Sequence, residues 1–210
     1  MMQTPEPGDD PAPAWRIASR GRCYAYLLPS RDEDVVKVGF SRDPLQRLRA
    51  LHVRYFDFFD LDRGALVEFE HVRDARALEA QLKRSLADAA TWAPLVIRSA
   101  AGGRTEWFRG VSNRAHAAMA DHAQAAGFVL HANLREWLHD RLVSHADALF
   151  DTSLHAWRAI DYIEHNGDAR SARLQERALR NALDAYAAVG VELDTRLEGT
   201  VLEWYRRGSR

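Results

Sequence analysis

The sequence has little cysteine, little net charge and no long apolar run, and each shortage excludes a class of protein. A single cysteine, Cys23, among 210 residues excludes an intrachain disulfide and a zinc site built on cysteines. No apolar run approaches the ~18 residues that a membrane-spanning helix needs. The net charge of −1 excludes a polycation, so any contact with nucleic acid must come from a local basic patch.

The charge that is present is unevenly distributed. Residues 15–55 carry nine Lys/Arg against four Asp/Glu, whereas residues 111–210 carry 12 against 14. Residues 1–14 are proline-rich and acidic, unlike a signal peptide, and we expect a disordered lead on a cytoplasmic protein. The hydrophobic content of 47 % is enough for a substantial core. A basic surface is therefore expected on the N-terminal half.

The N-terminal half alternates strand and helix signals. Apolar and aromatic alternation predicts strands over residues 23–28 and 35–40, joined by a polar turn into an antiparallel hairpin with Tyr24 and Tyr26 on one exposed face. Asp43 and Pro44 are a typical N-cap and first helical residue. A third strand is predicted over residues 64–72, and Asp74 is the expected N-cap of the next helix.

The C-terminal half is helical throughout. Periodic apolar positions predict helices over residues 112–126, 133–166, 169–189 and 195–207. The fold class is therefore α+β: a small three-stranded antiparallel sheet flanked by helices over residues 15–110, then an all-helical bundle over residues 111–210. The bundle could bind a partner or a second copy of the chain, and an arginine ridge near its middle could follow a phosphate backbone or be a solvated face.

Three residues have the chemistry that phosphodiester cleavage requires. Such a site needs a group that handles the attacking water, a cation for the developing negative charge and usually a divalent metal. Tyr26 offers a phenol, Arg47 a guanidinium and Glu79 a carboxylate that could hold Mg²⁺. These residue types occur in most domains, so their spacing alone is a weak signal.

Five sequence blocks in a fixed order strengthen this signal. Tyr24-Ala25-Tyr26 is followed by Lys37-Val38-Gly39, by S-x-D-P-x-x-R-x-x-x-L from Ser41 to Leu51, by L-E-x-x-L from Leu78 to Leu82, and by Glu106-Trp107-Phe108. This order, over residues 22–110, resembles the GIY-YIG nuclease superfamily, and in particular the phage and bacterial branch that has KVG in place of YIG and a terminal EWF. The chain departs from that branch at Lys83, where a histidine is frequent.

The resemblance implies a metal-dependent endonuclease that acts on nucleic acid, with DNA the expected substrate and Mg²⁺ or Mn²⁺ the expected cofactor. It implies that Tyr26 is the general base or orients the water, that Arg47 binds the phosphate, and that Glu79 is the metal ligand, with the tyrosine pKa lowered by Lys37 or the metal. The remaining expected residues are auxiliary or contact the substrate. They are Tyr24, Lys37 and His52 as auxiliary groups, and Arg42, Arg49 and Lys83 as substrate-binding groups.

Other interpretations stay open from sequence. Tyr24 and Tyr26 could be sheet residues, Arg47 a solvated helix residue, and Glu79 a simple i,i+4 partner of Lys83. The protein could instead be a catalytically weak nucleic-acid-binding module that retains the fold, or an adaptor whose helical bundle binds other proteins. Glu106 is expected to be a structural acceptor rather than a chemical group.

Overall fold

A six-stranded antiparallel sheet lies at the centre of the protein. The computed structural model describes residues 21–97 and 105–208, so the predicted lead over residues 1–14 lies outside the described residues. The strand order is β4-β5-β2-β1-β3-β6. The strands are β1 Cys23–Pro29, β2 Val35–Ser41, β3 Ala65–Phe69, β4 Ala90–Thr91, β5 Trp107–Arg109 and β6 Val129–His131.

The α+β class is confirmed, but the prediction of a three-stranded sheet is wrong. The first three strands lie close to their expected positions, and β1 pairs with both β2 and β3. The three added strands are two or three residues long, too short for alternation to reveal them. β5 and β6 cover the outer edges of β2 and β3, whose backbone groups would otherwise be unpaired, and β4 pairs with β5.

Eight α-helices accompany the sheet within the described residues. They are α1 Pro44–Leu51, α2 Tyr55–Phe58, α3 Val72–Ser85, α4 Ser112–Ala126, α5 Leu134–Val143, α6 Leu149–Asn166, α7 Ala169–Ala188 and α8 Gly199–Arg207. The α1 prediction is accurate, because the Asp43 side chain accepts from the Gln46 amide and Pro44 opens the helix.

Three helix predictions need correction. His71 is the N-cap of α3, and Asp74 lies in its first turn, where an acidic side chain favours the helix dipole. The single helix expected from Asn133 to Asn166 is divided into α5 and α6 by a short 3₁₀ turn at Ala146–Ala148. The last helix begins at Gly199, capped by the Glu198 side chain, rather than at residue 195.

The two faces of the sheet bury different cores. Small and aliphatic side chains of one face, among them Ala25, Leu27 and Val38, pack on α3 and α4. The opposite face carries Tyr24 and Tyr26 and packs on α1, α2 and residues of the helical half. The second core is continuous from β1 to α8, so helices beyond residue 110 cover the tyrosine-bearing face.

The start of α5 joins this helical half to the sheet. The Leu134 amide donates to the Gly64 carbonyl at 2.9 Å, and a Cβ on Gly64 would lie 2.8 Å from the Leu134 side chain, so only glycine fits there. The Arg135 guanidinium pairs with Asp62 at 2.6 Å. The predicted division at residue 111 stays a prediction, and the packing is continuous across it.

Candidate active site

The Tyr26 hydroxyl lies between β2 and α1. Tyr26 is opposite Gly39 in the β1–β2 register, and a Cβ on Gly39 would lie 2.3 Å from the Tyr26 hydroxyl oxygen. The glycine of the KVG block therefore makes room for the phenol. Arg47, one turn into α1, donates from Nε to this hydroxyl at 3.2 Å. Strand register and the helix start thus bring together two residues that lie 21 positions apart.

Tyr26 is a neutral, buried phenol in this arrangement. Only 2 % of the residue is exposed, which corrects the exposed face expected from sequence, because later helices cover it. Burial raises the pKa of Tyr26, and the Arg47 charge and hydrogen bond oppose that effect without overcoming it. Lys37 is not among the groups that lower the pKa of Tyr26, so that half of the expectation is not met, and lowering by a metal stays a prediction. Since the hydroxyl accepts from Arg47, its own proton remains available for donation.

Two lysines share one carboxylate beside this pair. Lys37 on β2 is fully buried, and its Nζ donates to the Thr105 carbonyl at 3.0 Å and to Glu106 Oε2 at 3.3 Å. Lys83 on α3 donates to Glu106 Oε1 at 3.0 Å. The Lys37 ammonium also lies 5.5 Å from the centre of the Trp107 ring. We call the arrangement of Lys37, Glu106 and Lys83 the lysine bridge.

Burial and charge act in opposite directions in the lysine bridge. Burial lowers the pKa of Lys37 to about 8, although Glu106 raises it. Burial raises the pKa of Glu106, but the hydrogen bonds and charges of Lys83 and Lys37 outweigh it, and the net pKa is lowered. Glu106 is therefore the counterion that allows a buried lysine to stay charged.

The backbone of Glu106 is bent to make this contact. Its φ of 70° lies in the left-handed region, which costs a non-glycine residue of order 1–2 kcal/mol. Its carbonyl accepts from the Val38 amide at 3.0 Å, which fixes the start of β5 against β2. Sequence reasoning assigned Glu106 a structural role and missed its contacts with both lysines. The signal available was the EWF block, which contains the one strongly polar residue next to a buried Trp-Phe pair.

Glu79 lies near the lysine bridge but outside it. Within the described residues, its carboxylate makes no hydrogen bond and no ion pair. Burial raises the pKa of Glu79, and Lys83 opposes the shift, while the charge of Glu106 adds to it. The Glu79 charge also acts on Tyr26 and Lys37, so the carboxylate is close to both. The simple i,i+4 pair of Glu79 with Lys83 is not formed, since Lys83 binds Glu106 instead.

Tyr24 is covered by α5. It is 1 % exposed, its ring meets Trp137 edge to face at 5.4 Å between centroids, and its hydroxyl accepts from Arg141 Nη2 at 3.4 Å. Burial raises the pKa of Tyr24 as well. Sequence reasoning did not connect Trp137 or Arg141 with the site. Their i,i+4 spacing on one helix was the available signal, because it lets the guanidinium lie over the indole.

Three other predicted site residues have contacts or charge effects elsewhere in the N-terminal half. His52 is the C-cap of α1, and its ring stacks on Phe58 at 4.9 Å. Arg42 is exposed before α1, and its charge acts on Cys23. The Arg49 charge acts on Tyr55, whose pKa burial raises to about 12. The structure therefore brings together Tyr26, Lys37, Arg47, Glu79 and Lys83 from the predicted set and adds Glu106.

The site is a basic, partly buried cluster on the sheet, and the EWF block at residues 106–108 contributes one of its members. Residues 23–123 match the T5orf172 domain, which is GIY-YIG-like and nuclease-associated. The match covers every member of the cluster and extends through most of α4. Comparisons with curated proteins and with solved structures gave no match.

The described residues contain neither a membrane-spanning helix nor a cluster of several metal-ligating side chains. No helix among residues 21–97 and 105–208 is long and apolar enough to cross a membrane. In the same ranges, no group of three or more His, Cys, Asp or Glu side chains is arranged to hold a metal ion.

Proposed function

We propose that the protein is a metal-dependent endonuclease that hydrolyses phosphodiester bonds, with DNA as the substrate. The observation that carries the proposal is the hydrogen bond from Arg47 Nε to the Tyr26 hydroxyl, beside a carboxylate, Glu79, that forms no hydrogen bond or ion pair with a described residue. Three cationic and two acidic side chains meet in this cluster, so it favours an anion such as a phosphodiester. The T5orf172 match over residues 23–123 supports the nuclease class.

The residues divide the chemistry between them. Arg47 binds the non-bridging oxygens of the phosphate, where a planar guanidinium can donate two parallel hydrogen bonds. Tyr26 orients the attacking water through its hydroxyl, because its raised pKa and its hydrogen bond from Arg47 suit it to positioning rather than to removing a proton. Lys37 and Lys83 add positive charge close to the phosphate, and Glu106 holds both ammonium groups in place.

Glu79 suits a divalent cation. A half-buried carboxylate with a raised pKa and no partner in the described residues would be stabilised by a bound cation. One carboxylate plus waters is an ordinary Mg²⁺ environment, and Mn²⁺ accepts the same oxygen ligands. When bound, the metal would supply Lewis-acid stabilisation of the phosphate and its leaving oxygen.

A second candidate is a nucleic-acid-binding module without turnover. Burial of Tyr26 at 2 % exposure favours it, because a closed hydroxyl must become accessible before it can meet a water and a phosphate. The positive cluster would bind phosphate in either case. The two candidates differ in whether cleavage occurs and whether it depends on Glu79.

Supercoiled plasmid with Mg²⁺ or Mn²⁺ distinguishes them. We expect nicking by the wild-type protein and a loss of ~10²-fold or more in rate in Glu79→Ala and Arg47→Ala. Arg158→Ala, at an exposed position on α6, is the control and should cleave normally. Cleavage that survives both site substitutions would contradict the assignment. Salt-sensitive binding without cleavage would favour the binding module, and neither activity would favour the protein-binding adaptor.

A further inference from the structure

The helical half supplies a cation to the tyrosine-bearing face. Arg141 lies on α5, beyond the matched domain, yet its Nη2 donates to the Tyr24 hydroxyl at 3.4 Å. Its guanidinium lies 5.2 Å from the centre of the Trp137 ring, and that ring meets Tyr24. Two tyrosine hydroxyls on one strand face are thus each contacted by an arginine, Tyr26 by Arg47 and Tyr24 by Arg141.

Arg141 differs from its neighbours in lacking an acidic partner. Within the described residues, its guanidinium makes no ion pair, whereas Arg135 on the same helix pairs with Asp62 at 2.6 Å. The carboxylate opposite Tyr24, that of Glu68, is held by Arg22 at 2.6 Å. A partly buried guanidinium that no carboxylate neutralises is a natural position for a bound anion.

The position of Arg141 is set by rigid parts of the fold. The α5 helix is fixed to the turn before β3 through the Leu134–Gly64 and Arg135–Leu61 backbone hydrogen bonds at 2.9 and 3.0 Å. Leu134 and Leu138 are fully buried beneath it. The guanidinium is therefore presented from a packed helix and supported by the Trp137 ring, which is the kind of support that a binding residue needs.

The spacing of the two tyrosine–arginine pairs suits a nucleic-acid strand. Tyr24 and Tyr26 are two residues apart on β1, so their side chains point to the same face and their Cα atoms lie about 6.6–6.8 Å apart. Arg47 from α1 and Arg141 from α5 each contact one of the two hydroxyls on this face. One strand carries a negative charge at every nucleotide, so two cations on one face can bind the same strand.

We propose that Arg141 binds a second phosphate of the substrate strand, next to the phosphate bound by Arg47, so that the helical half completes the nucleic-acid site. This inference rests on the proposed function, because it identifies the substrate as a strand with consecutive phosphates. It also gives α5 a role that the matched domain alone does not supply.

Binding measured without cleavage tests the inference separately. The probe is a fluorescein-labelled duplex and the corresponding single strand, titrated by anisotropy with full-length Glu79→Ala protein in EDTA at several salt concentrations. Arg141→Met keeps the aliphatic stem and removes the charge. We expect it to weaken binding ~5- to 10-fold and to lower the slope of log K against log salt by about one. Arg141→Lys should retain most of the slope, and Arg158→Met, at an exposed position on α6, should change neither quantity.

A purely structural Arg141 gives a different pattern. Thermal unfolding of Arg141→Met and of Tyr24→Phe measures any loss of packing, and such a loss would not change the salt slope. Unchanged affinity and slope in Arg141→Met, with nucleic acid still bound, would overturn the inference and leave the proposed nuclease intact. If binding depends on Arg141 but the wild-type protein never cleaves, the inference about Arg141 is retained and the proposed nuclease activity is wrong. If the parent protein binds neither probe, both proposals are wrong.

Discussion

Two polar clusters of this protein use the same residue types and differ in how completely their charges are matched. At the junction of α2 with the C-terminal helices, Arg54 donates to Asp57 and Asp184, each at 2.7 Å, and Tyr205 donates to Asp184 at 2.7 Å. We call this the Arg54 cluster. The cluster around Tyr26 also combines tyrosine, arginine and carboxylate, but it buries Lys37 and leaves Glu79 without a partner in the described residues.

This difference indicates that the Arg54 cluster is a structural contact and that the Tyr26 cluster is a candidate site. Both carboxylates of the Arg54 cluster accept hydrogen bonds from a donor in the cluster. The cluster therefore stabilises the contact between α2 and the C-terminal helices, and neither carboxylate is left without a hydrogen-bond partner. The Tyr26 cluster has a strained Glu106 backbone, a lysine with a lowered pKa and a carboxylate with a raised pKa. Perturbed pKa values of this kind concentrate at functional sites.

The sharpest test of the comparison is Gly39→Ala. The added Cβ would overlap the Tyr26 hydroxyl, so the phenol must move and lose its hydrogen bond from Arg47. We expect nuclease activity to fall by ~10²-fold or more and unfolding free energy to fall by about 1–3 kcal/mol, because the ring is buried. The control is Gly199→Ala, where a Cβ meets nothing within 4 Å. Unchanged plasmid nicking by Gly39→Ala would contradict the role of Tyr26.

Glu106→Gln tests the lysine bridge. The substitution keeps the shape of the side chain but removes the negative charge that pairs with the fully buried Lys37. We expect a loss of about 2 kcal/mol of stability in urea unfolding at pH 7, since a buried charge loses its counterion. Glu33→Gln removes an exposed partner of Arg109 at 3.7 Å and should cost almost nothing. Equal stability of the two variants would show that the bridge is not a buried pair in solution.

The pKa of Lys37 predicts how stability changes with pH. Burial lowers it from 10.5 to about 8 in the folded protein, so between these values the unfolded chain binds more protons than the native one. The Lys37 contribution to unfolding free energy should therefore rise with pH, by about 1 kcal/mol between pH 8 and pH 9. Subtracting the pH dependence of Lys37→Met from that of the wild type isolates this contribution. A difference that is flat from pH 7 to 10 would contradict the lowered pKa.

The smallest effect is expected at the Arg54 cluster. Arg54 is 42 % exposed on its side chain, and exposed ion pairs contribute little, so Arg54→Met should lower stability by about 1 kcal/mol or less. Its nicking rate should equal that of the wild type. An activity loss comparable with that of Arg47→Ala would remove the distinction between the two clusters.

The parts of the fold that the sequence predicted are those with a strong local signal. Alternation in β1 and β2, the Asp43-Pro44 start and the Ala126-Gly127 end are decided by nearby residues, and the structure has them. The strands β4, β5 and β6 form by pairing with partners distant in the sequence, and alternation of apolar residues within such short segments does not reveal them. The split of residues 133–166 into two helices likewise depends on packing.

The candidate site shows the same limit. Tyr26, Arg47 and Glu79 could be singled out because a motif places them, and their roles stay predictions. The burial of Tyr26 could not be foreseen, because alternation says which side chains share a face but not which later helices cover that face. Glu106 was given a structural role because nothing local reveals that a left-handed backbone points its carboxylate at two lysines from other elements.

The strand β6 has a consequence for how the chain is made. It pairs with β3 through Leu66, Val67 and Glu68, and it is the last strand to leave the ribosome. Until residues 129–131 have been synthesised, β3 presents an open edge to other nascent chains. Fragments that stop at residue 126 keep the whole matched stretch, residues 23–123, but lack that strand, and we expect them to associate edge to edge rather than remain monomeric.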